Sequence, residues 1–427
     1  MTIIHPALPI ATMAGHIDRD RAARLMQATG LDALVLAAPE SFGWATGAPA
    51  GVAANWRRLG AAIAVVPADP TRPVGAVVSD LFAGAAEAAG CAPLHRHVTW
   101  PETADLRPFL GTAEDAATLV ARATAQRPPH FARPATFDRA AGLAALRALL
   151  SDQGLSQSRL GVELSAVPAA DLPALEAAVA PARITDASPM VERLRAHKSP
   201  AEIALLREAG LITETALLSL LPELREGATR AALGQRFGEL VRQVAQRRGT
   251  PAVTAWEYIG FGASPWSSPG GIARGDVVKV DVGAVVGGYS ADLARTFACG
   301  PPHPAAREIH AALRNAFEIG RALFRPGAAL REIHAACLGA MHAAGFPSYA
   351  RGHFGHGLGA SIWSEEYPYT AADSEVVLEP GMVMAFELPW YLDGLGGFIV
   401  EDMLLVTGSG AETLAGGGLP HALVELP

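Results

Sequence analysis

Cysteine, long apolar runs and a targeting segment are all scarce or missing in this chain of 427 residues. The three cysteines, Cys91, Cys299 and Cys337, are too few and too scattered for a disulfide framework or a zinc cluster. Mean hydropathy is +0.23, but no uninterrupted apolar stretch reaches the length of a membrane span. The amino terminus has no basic segment followed by a long apolar run. We therefore expect a cytoplasmic protein with reduced thiols and no membrane association.

Positive charge is also in short supply, since the formal net charge is −8. We find no basic stripe with interleaved aromatic residues, so nucleic acid is not an expected partner. The sequence has no HExxH motif and no GxSxG motif, which argues against a mononuclear zinc peptidase and a serine hydrolase. Half of the residues are apolar and 18% are charged, which is typical of a globular protein with a substantial core.

The length predicts two or three domains. Residues 1–185 alternate apolar runs with helical patterns, which indicates an α/β domain with a mixed sheet. Strands are expected at 31–39, 61–69 and 73–81, and a helix at 141–154. Residues 186–200 are interpreted as a hinge into a second domain. A capping box, in which Ser199 precedes Pro200 and Glu202, predicts that a helix begins there.

The second part of the chain reads as helices that frame pairs of strands. The expected helices cover 200–220, 229–247, 304–323 and 328–344, and the expected strands cover 277–284, 288–298, 381–388 and 397–406. A turn at Gly287-Gly288 would place Asp281 and Asp292 on the two arms of one hairpin. Glu387 and Glu401 flank a second glycine-rich turn in the same way.

Four carboxylates and one imidazole therefore stand in short apolar frames. They are Asp281 in VVKVDVGA, Asp292 in GYSADLARTF, His356 in GHFGHGLG, Glu387 in VMAFELP and Glu401 in FIVEDMLLV. Buried carboxylates that converge need a compensating cation. A pair of divalent metal ions that activates a water molecule would meet this need. The pattern predicts a dinuclear metallohydrolase.

These frames, in this order, resemble the superfamily of methionine aminopeptidase, prolidase, aminopeptidase P and creatinase, which share the pita-bread fold. The resemblance covers roughly residues 190 to 415 and includes KSPAEIALLREAG and LEPGMVMAFELP. The preceding domain resembles the amino-terminal α/β domain of the prolidase and creatinase branch. The resemblance implies an amino-terminal α/β domain over 1–185, an α+β pita-bread catalytic domain over 190–427, and a homodimer.

The resemblance also implies roles for the five residues. Asp281 would chelate one ion, Asp292 and Glu401 would bridge two ions, and His356 and Glu387 would complete the second. Glu387 would also accept a proton from the metal-bridging water. The implied cofactors are two divalent ions of manganese, cobalt, zinc or iron, and oxygen-rich ligation with one imidazole does not select among them.

The sequence departs from the peptidase pattern at the substrate side. Two histidines of the peptidases are missing: SPWSSPGG, with Trp266, Ser267 and Ser268, stands at one position, and Trp363 at the other. The arginine that prolidase-like enzymes often place two residues before the last glutamate is Ile399. His353 is the remaining nearby imidazole, and it could substitute as a catalytic group. Trp266, Trp363 and Tyr391, with Trp390, would line the substrate pocket with aromatic rings. For Trp266 and Trp363, core packing is an alternative of nearly equal weight.

The expected function is metal-dependent hydrolysis of a C–N amide bond, of the Xaa-Pro dipeptidase or aminopeptidase type, on a short peptide or small molecule, with a metal-bridged hydroxide as nucleophile. Because both histidines are missing, the alternative is that the protein is a member of this superfamily but not a peptidase. It would then be a small-amide hydrolase or a lyase, similar to creatinase or the sulfoniopropionate lyases. A third hypothesis is a binding protein without catalytic activity. It predicts that some of the five metal-ligand positions would be occupied by other residue types.

Overall fold

The computed structural model describes residues 15–51, 53, 58–97, 104–126, 138–360, 365–415 and 417–427. The chain divides into two compact units between Val191 and Glu192. The division falls inside a helix, Ser188–Arg195, so the segment interpreted as a hinge is partly helical. A helix forms here because Leu194 and Val191 are both buried, three residues apart on one helical face.

The amino-terminal unit contains a six-stranded mixed sheet. Strands β1 and β2 are antiparallel, as are β2 and β3, whereas β5 runs parallel to β1 and β6. In spatial order the sheet reads β4-β3-β2-β1-β5-β6, and the strands are β1 Ala33–Leu36, β2 Ile63–Pro67, β3 Gly75–Ser79, β4 Leu94–His97, β5 Arg159–Val162 and β6 Arg183–Asp186. The three predicted strands are confirmed as β1, β2 and β3, each shorter than expected.

Helices accompany this sheet, and they are α1 Arg19–Thr29, α2 Pro39–Thr46, α3 Ala83–Ala88, α4 Ala116–Ala125, α5 Arg139–Asp152, α6 Leu172–Val179 and α7 Ser188–Arg195. Leucines of α5 and α6, including Leu146, Leu149 and Leu175, pack with β-strand valines in one buried cluster. The first predicted strand was too long at its carboxyl end. Pro39 is the first residue of α2, where the fixed φ of proline favours a helix.

Four long helices belong to the second unit: α8 Pro200–Leu220, α9 Arg230–Arg248, α10 Pro304–Arg321 and α11 Leu330–Ala343. All four were predicted. The capping box is present, since Ser199 accepts from the Glu202 amide and Glu202 accepts from the Ser199 amide. Within the described residues, no helix combines the length and the apolar character needed to cross a membrane.

An eleven-stranded sheet is the centre of this unit. Its main path runs β10-β9-β11-β17-β14-β12-β13, with β7 and β8 on β9, β18 on β17 and β19 on β11. The strands are β7 Thr254–Glu257, β8 Gly260–Phe261, β9 Val277–Val286, β10 Tyr289–Ser290, β11 Leu293–Cys299, β12 His353–Gly357, β13 Glu366–Ala371, β14 Val383–Glu387, β17 Glu401–Val406, β18 Ala411–Thr413 and β19 Val424–Leu426. A separate hairpin joins β15 Trp390–Leu392 to β16 Gly396–Phe398.

Helices α10 and α11 cover part of the large sheet with an apolar cluster. Phe317 and Phe324 contact Phe386 of β14 at ring-centroid distances of 5.0 and 4.8 Å. All three are buried. Each buried aromatic ring contributes roughly 1.5–3 kcal/mol through apolar burial. This packing supports β14 directly before Glu387.

Candidate metal centre

One row of cross-strand partners carries most of the predicted ligands. Ala294 of β11 pairs with Asp281 of β9 on one side and with Glu401 of β17 on the other. Glu401 in turn pairs with Glu387 of β14. Directly paired residues point to the same face of a sheet. Asp281, Glu401 and Glu387 therefore share one face, and the small Ala294 side chain leaves room between them.

Asp292 reaches the same face from a break in the strand pairing. It lies between β10 and β11, two residues before Ala294. The backbone comes close here, because a Cβ added to Gly283 would lie only 2.1 Å from the Ala291 carbonyl oxygen. The glycine of the DVG frame is thus required for the path of the chain that delivers Asp292.

His356 is delivered by β12, which pairs with β14 through His356 and Ala385. Gly355 has φ 117°, and a Cβ there would meet the Ala385 carbonyl oxygen at 2.0 Å. Only glycine fits this close approach. The Nδ1–H of His356 donates to the Gly357 carbonyl oxygen at 3.0 Å. The proton is therefore on Nδ1, and the lone pair of Nε2 is available to a metal ion. A metal-binding histidine usually donates its other ring N–H in this way.

Three of the predicted ligands come together as a group. Ligand atoms of Asp292, His356 and Glu401 all lie within 4.8 Å of one another, and His356 Nε2 is 3.7 Å from Asp292 Oδ2. All three residues are buried. Two carboxylates and one imidazole are a donor set that suits a divalent transition metal.

Electrostatics also favour a cation at this group. Burial, followed by the charges of Asp281 and Glu387, raises the pKa of Asp292 well above its usual range. Burial, followed by the charge of Asp292, does the same to the pKa of Glu401. Among the described residues, neither carboxylate forms an ion pair with lysine or arginine. The residues present therefore fit a bound divalent ion, which would hold both carboxylates ionised.

The other two predicted ligands have basic partners. Lys279 Nζ donates to Asp281 Oδ2 at 2.9 Å, and Arg351 Nη2 donates to Glu387 Oε1 at 3.1 Å. Burial lowers the pKa of Lys279, but the charge of Asp281 opposes this, and the net shift is upward. Lys279 is therefore an ammonium ion inside the site.

His353 lies beside Glu387, with Nδ1 3.8 Å from Glu387 Oε1. The Gly355 amide donates to Nδ1 at 3.2 Å, so Nδ1 is an acceptor and the ring proton resides on Nε2. Burial is the largest cause that lowers the pKa of His353. A neutral imidazole can donate a hydrogen bond through its Nε2–H, for which the described residues provide no acceptor, but it is a poor proton source.

Two of the aromatic residues predicted to contact the substrate, Trp266 and Tyr391, lie next to each other in the structure. Trp266 is 72% exposed, and its ring lies 4.4 Å from that of Tyr391 between centroids. Core packing is thus not the role of Trp266. Lys279 Nζ and the Arg351 guanidinium carbon each lie 5.9 Å from the Tyr391 ring centroid. Trp363 lies outside the described residues.

Ser268 and Ile399 form hydrogen bonds with the backbone or a side chain of neighbouring residues. Ser268 Oγ accepts from the Phe261 amide at 2.8 Å and donates to the Phe261 carbonyl at 3.0 Å. Ser267 is exposed. Ile399 is buried, and its backbone bonds to Thr296 Oγ1 at 2.7 and 2.8 Å.

Sequence reasoning missed several polar residues around the site. Lys279 had a signal, since it lies two residues before Asp281 on the same strand and so shares its face. Arg295 and His421, which both contact Asp402, had none. Nothing in a local pattern indicates that residues 107 and 19 positions from Asp402 lie beside it.

Comparison with known proteins agrees with this architecture. The model of metallopeptidase family M24 matches residues 204–408, and the creatinase/prolidase amino-terminal domain matches residues 19–197. An uncharacterized peptidase of Bacillus subtilis, YqhT, is 30% identical over 262 residues, which are 60% of this chain and 72% of that protein. The probable dipeptidase PepE of Mycobacterium tuberculosis is 31% identical over 56% of this chain and 64% of its own length.

The solved structures show the same fold along nearly the whole chain. An Xaa-Pro dipeptidase from Bacillus anthracis superposes with a TM-score of 0.73 at 22% identity, covering 96% of this chain and 99% of that one. The expected fold class, an α/β amino-terminal domain followed by a pita-bread domain, is confirmed. The chain therefore belongs to metallopeptidase family M24, with the amino-terminal domain of creatinase and prolidase, and is a hydrolase of the metallopeptidase type.

Proposed function

We propose that this protein is a divalent-metal-dependent peptidase that hydrolyses the C–N amide bond of Xaa-Pro dipeptides or related short peptides. The observation that carries the proposal is the group of Asp292, His356 and Glu401, whose ligand atoms lie within 4.8 Å of one another. The relatives at about 30% identity, which are named as peptidases and dipeptidases, support the same substrate class. The alternatives that are not peptidases have no support among these relatives.

Asp292, His356 and Glu401 would hold the metal, which when bound supplies an activated water and polarises the scissile carbonyl. Glu387 lies directly opposite Glu401 and would take the proton of the attacking water, then return it to the leaving amine. Arg351 donates to Glu387 Oε1 and so fixes the orientation of this carboxylate. His353 would donate its Nε2–H to the substrate carbonyl, which replaces part of what the missing histidines supply.

Trp266 and Tyr391 would bind the apolar part of the substrate. Trp266 is 72% exposed, and its ring is tilted by 39° against that of Tyr391, whose other neighbours include Lys279 and Arg351. A proline ring is small, apolar and rigid, and it suits contact with such aromatic rings. Trp363 stays a predicted member of the same pocket lining.

Several finer expectations stay predictions. A two-ion arrangement would need Asp281 and Glu387 in addition to the buried group. The choice among manganese, cobalt, zinc and iron, homodimeric assembly and a cytoplasmic location likewise stay predictions.

The test is turnover of Ala-Pro by manganese-loaded protein, with a simple aliphatic amide as the second substrate. We expect Ala-Pro to be hydrolysed and the amide to be ignored. The reverse preference would establish the small-amide alternative. An Asp292→Asn variant should lose metal and, with it, the activated water. We expect kcat to fall about 100-fold or more, since loss of a single group that stabilises the transition state already has an effect of this size. Asp393→Asn, an exposed position of the same unit, is the matched control.

A further inference from the structure

Lys279 is built into the site rather than placed at its edge. Its side chain is only 9% exposed, and its Nζ donates to Asp281 Oδ2 at 2.9 Å. The stem passes the β16 strand, where a Cβ on Gly397 would lie 3.4 Å from Lys279 Cδ. The ammonium of Lys279 therefore lies against the Asp281 carboxylate, inside the site.

The composition of the chain makes this lysine unusual. The sequence contains 32 arginines and two lysines, Lys198 and Lys279. Both lysines are buried, so neither serves as an ordinary surface charge. An ammonium is compact and carries its charge at a point, whereas a guanidinium is a broad planar fork. Position 279 thus places the point charge of an ammonium next to Asp281 Oδ2.

The basic partners at the site leave two carboxylates for a metal ion to balance. Lys279 pairs with Asp281 and Arg351 pairs with Glu387. Within the described part of the chain, Asp292 and Glu401 have no such partner, and when ionised they carry two negative charges. One divalent ion balances these two charges.

Lys279 and a second metal ion would also compete for the same oxygen atom of Asp281. An ion chelated by both oxygens of Asp281 would need Oδ2, the atom to which Lys279 donates. The three residues of the metal-binding group, Asp292, His356 and Glu401, have no such competitor among the described residues. The two halves of the site are thus unequal: one is free to bind a metal and the other already contains a cation.

We propose that Lys279 occupies, with its ammonium, the place of a second metal ion, and that the protein binds one divalent ion tightly on Asp292, His356 and Glu401. This inference rests on the proposed metal-dependent function. Lys279 would supply a fixed positive charge on the Asp281 side of the bound ion. The protein would then bind one metal ion, although it retains all five residues of a set that would suit two ions.

The test is the stoichiometry of Mn²⁺, measured by calorimetric titration and by electron paramagnetic resonance of the full chain. We expect one tight equivalent in the unaltered protein, with the six-line spectrum of an isolated Mn²⁺ ion. Lys279→Met removes the charge at similar length, and it should bind a second ion about tenfold or more tightly than the unaltered protein does. The spectrum should then broaden through coupling of two adjacent ions.

Two further variants make the result specific. Lys279→Arg keeps the charge and should still bind one ion, whereas Lys198→Met, the other buried lysine, should leave the stoichiometry at one. If Lys279→Met does not fold, as judged by circular dichroism, Lys279→Gln replaces it. Two tight equivalents in the unaltered protein, or one in both neutral variants at position 279, would overturn the inference.

The outcomes also separate this inference from the proposed function. Two tight ions in the unaltered protein, both lost in Asp292→Asn, would overturn the role of Lys279 and leave a metal-dependent hydrolase. Absence of any tight ion in every variant would overturn both proposals.

Discussion

Arg295 and Asp402 form a buried pair directly behind the candidate metal centre. Arg295 Nη2 lies 2.6 Å from Asp402 Oδ1, and Arg295 Nη1 donates to the carbonyl oxygens of Ala294 and Glu401. His421 contacts the other oxygen of Asp402 at 2.9 Å. The pair therefore holds together the two strands that present Asp292 and Glu401.

Removing one partner of this pair should be worse than removing both. Arg295→Met leaves Asp402 buried with only His421, and we expect it to lower the free energy of unfolding by about 3–5 kcal/mol. The double variant Arg295→Met with Asp402→Leu should lose less than the single variant does, because no uncompensated charge remains. Urea unfolding of the four proteins of this cycle measures the coupling. Additive losses would show that the two side chains act independently.

His310 of α10 gives the molecule a pH dependence away from the metal centre. It is buried, and burial, followed by the charges of Arg314 and Arg295, lowers its pKa to about 4. The unfolded chain takes up a proton near pH 6.5, while the folded chain does so only near pH 4. Stability from this group is thus complete above pH 6.5 and is lost as the pH falls toward 4.

We expect His310 to account for about 3 kcal/mol of stability lost between these two pH values. His310→Leu should remove this part of the pH dependence of the free energy of unfolding. His303→Asn alters an exposed helix cap of the same helix with another good capping residue, so it is the control. An unchanged slope in His310→Leu would contradict the assignment.

The residues of the site could be predicted where a strand pattern carries them. Asp281, Glu387 and Glu401 stand in apolar strands, where alternation determines the face, and their cross-strand pairing follows from two hairpins. The partners that adjust them could not be predicted in the same way. Arg351 engages Glu387 from 36 positions away, and this contact depends on how β12 packs beside β14.

At the scale of the strand, Gly355 decides whether His356 reaches the site. Its φ of 117° is unfavourable for any residue with a side chain, and a Cβ would collide with the Ala385 carbonyl. We expect Gly355→Ala to lower stability by about 2 kcal/mol or more and to weaken metal binding, because β12 must move away from β14.

Gly352 provides the matched control. It lies three residues earlier, and a Cβ added there meets nothing within 4 Å. Gly352→Ala should keep both the thermal unfolding temperature and the metal affinity. Equal effects of the two alanine substitutions would show that chain flexibility, and not the close approach to β14, explains the result.

Elements with strong end signals were predicted best. Helix α8 begins at the predicted Pro200 because the capping box satisfies its first amides. The expected strand over 288–298 is instead divided into β10 and β11 around Asp292. No local signal marks this break, because it results from the close approach of Ala291 to Gly283 in the partner strand.

At the scale of the whole molecule, all five predicted ligands belong to the unit that begins at Glu192. A ligand that binds only the folded state stabilises that state by about 2.7 kcal/mol when its concentration is 100 times Kd. Saturating Mn²⁺ should therefore slow amide hydrogen exchange in β11, β12, β14 and β17 by up to about 100-fold. Exchange in β1 to β6 should be unchanged if the two units open independently.

Asp292→Asn separates the effect of the bound ion from general effects of salt. In this variant Mn²⁺ should slow exchange nowhere, because one of the three ligands of the metal-binding group is lost. Equal protection of β1 to β6 in the unaltered protein would contradict independent opening, since both sheets would then unfold in one cooperative step. Protection restricted to the second sheet would mean that metal loading controls the lifetime of the catalytic unit alone.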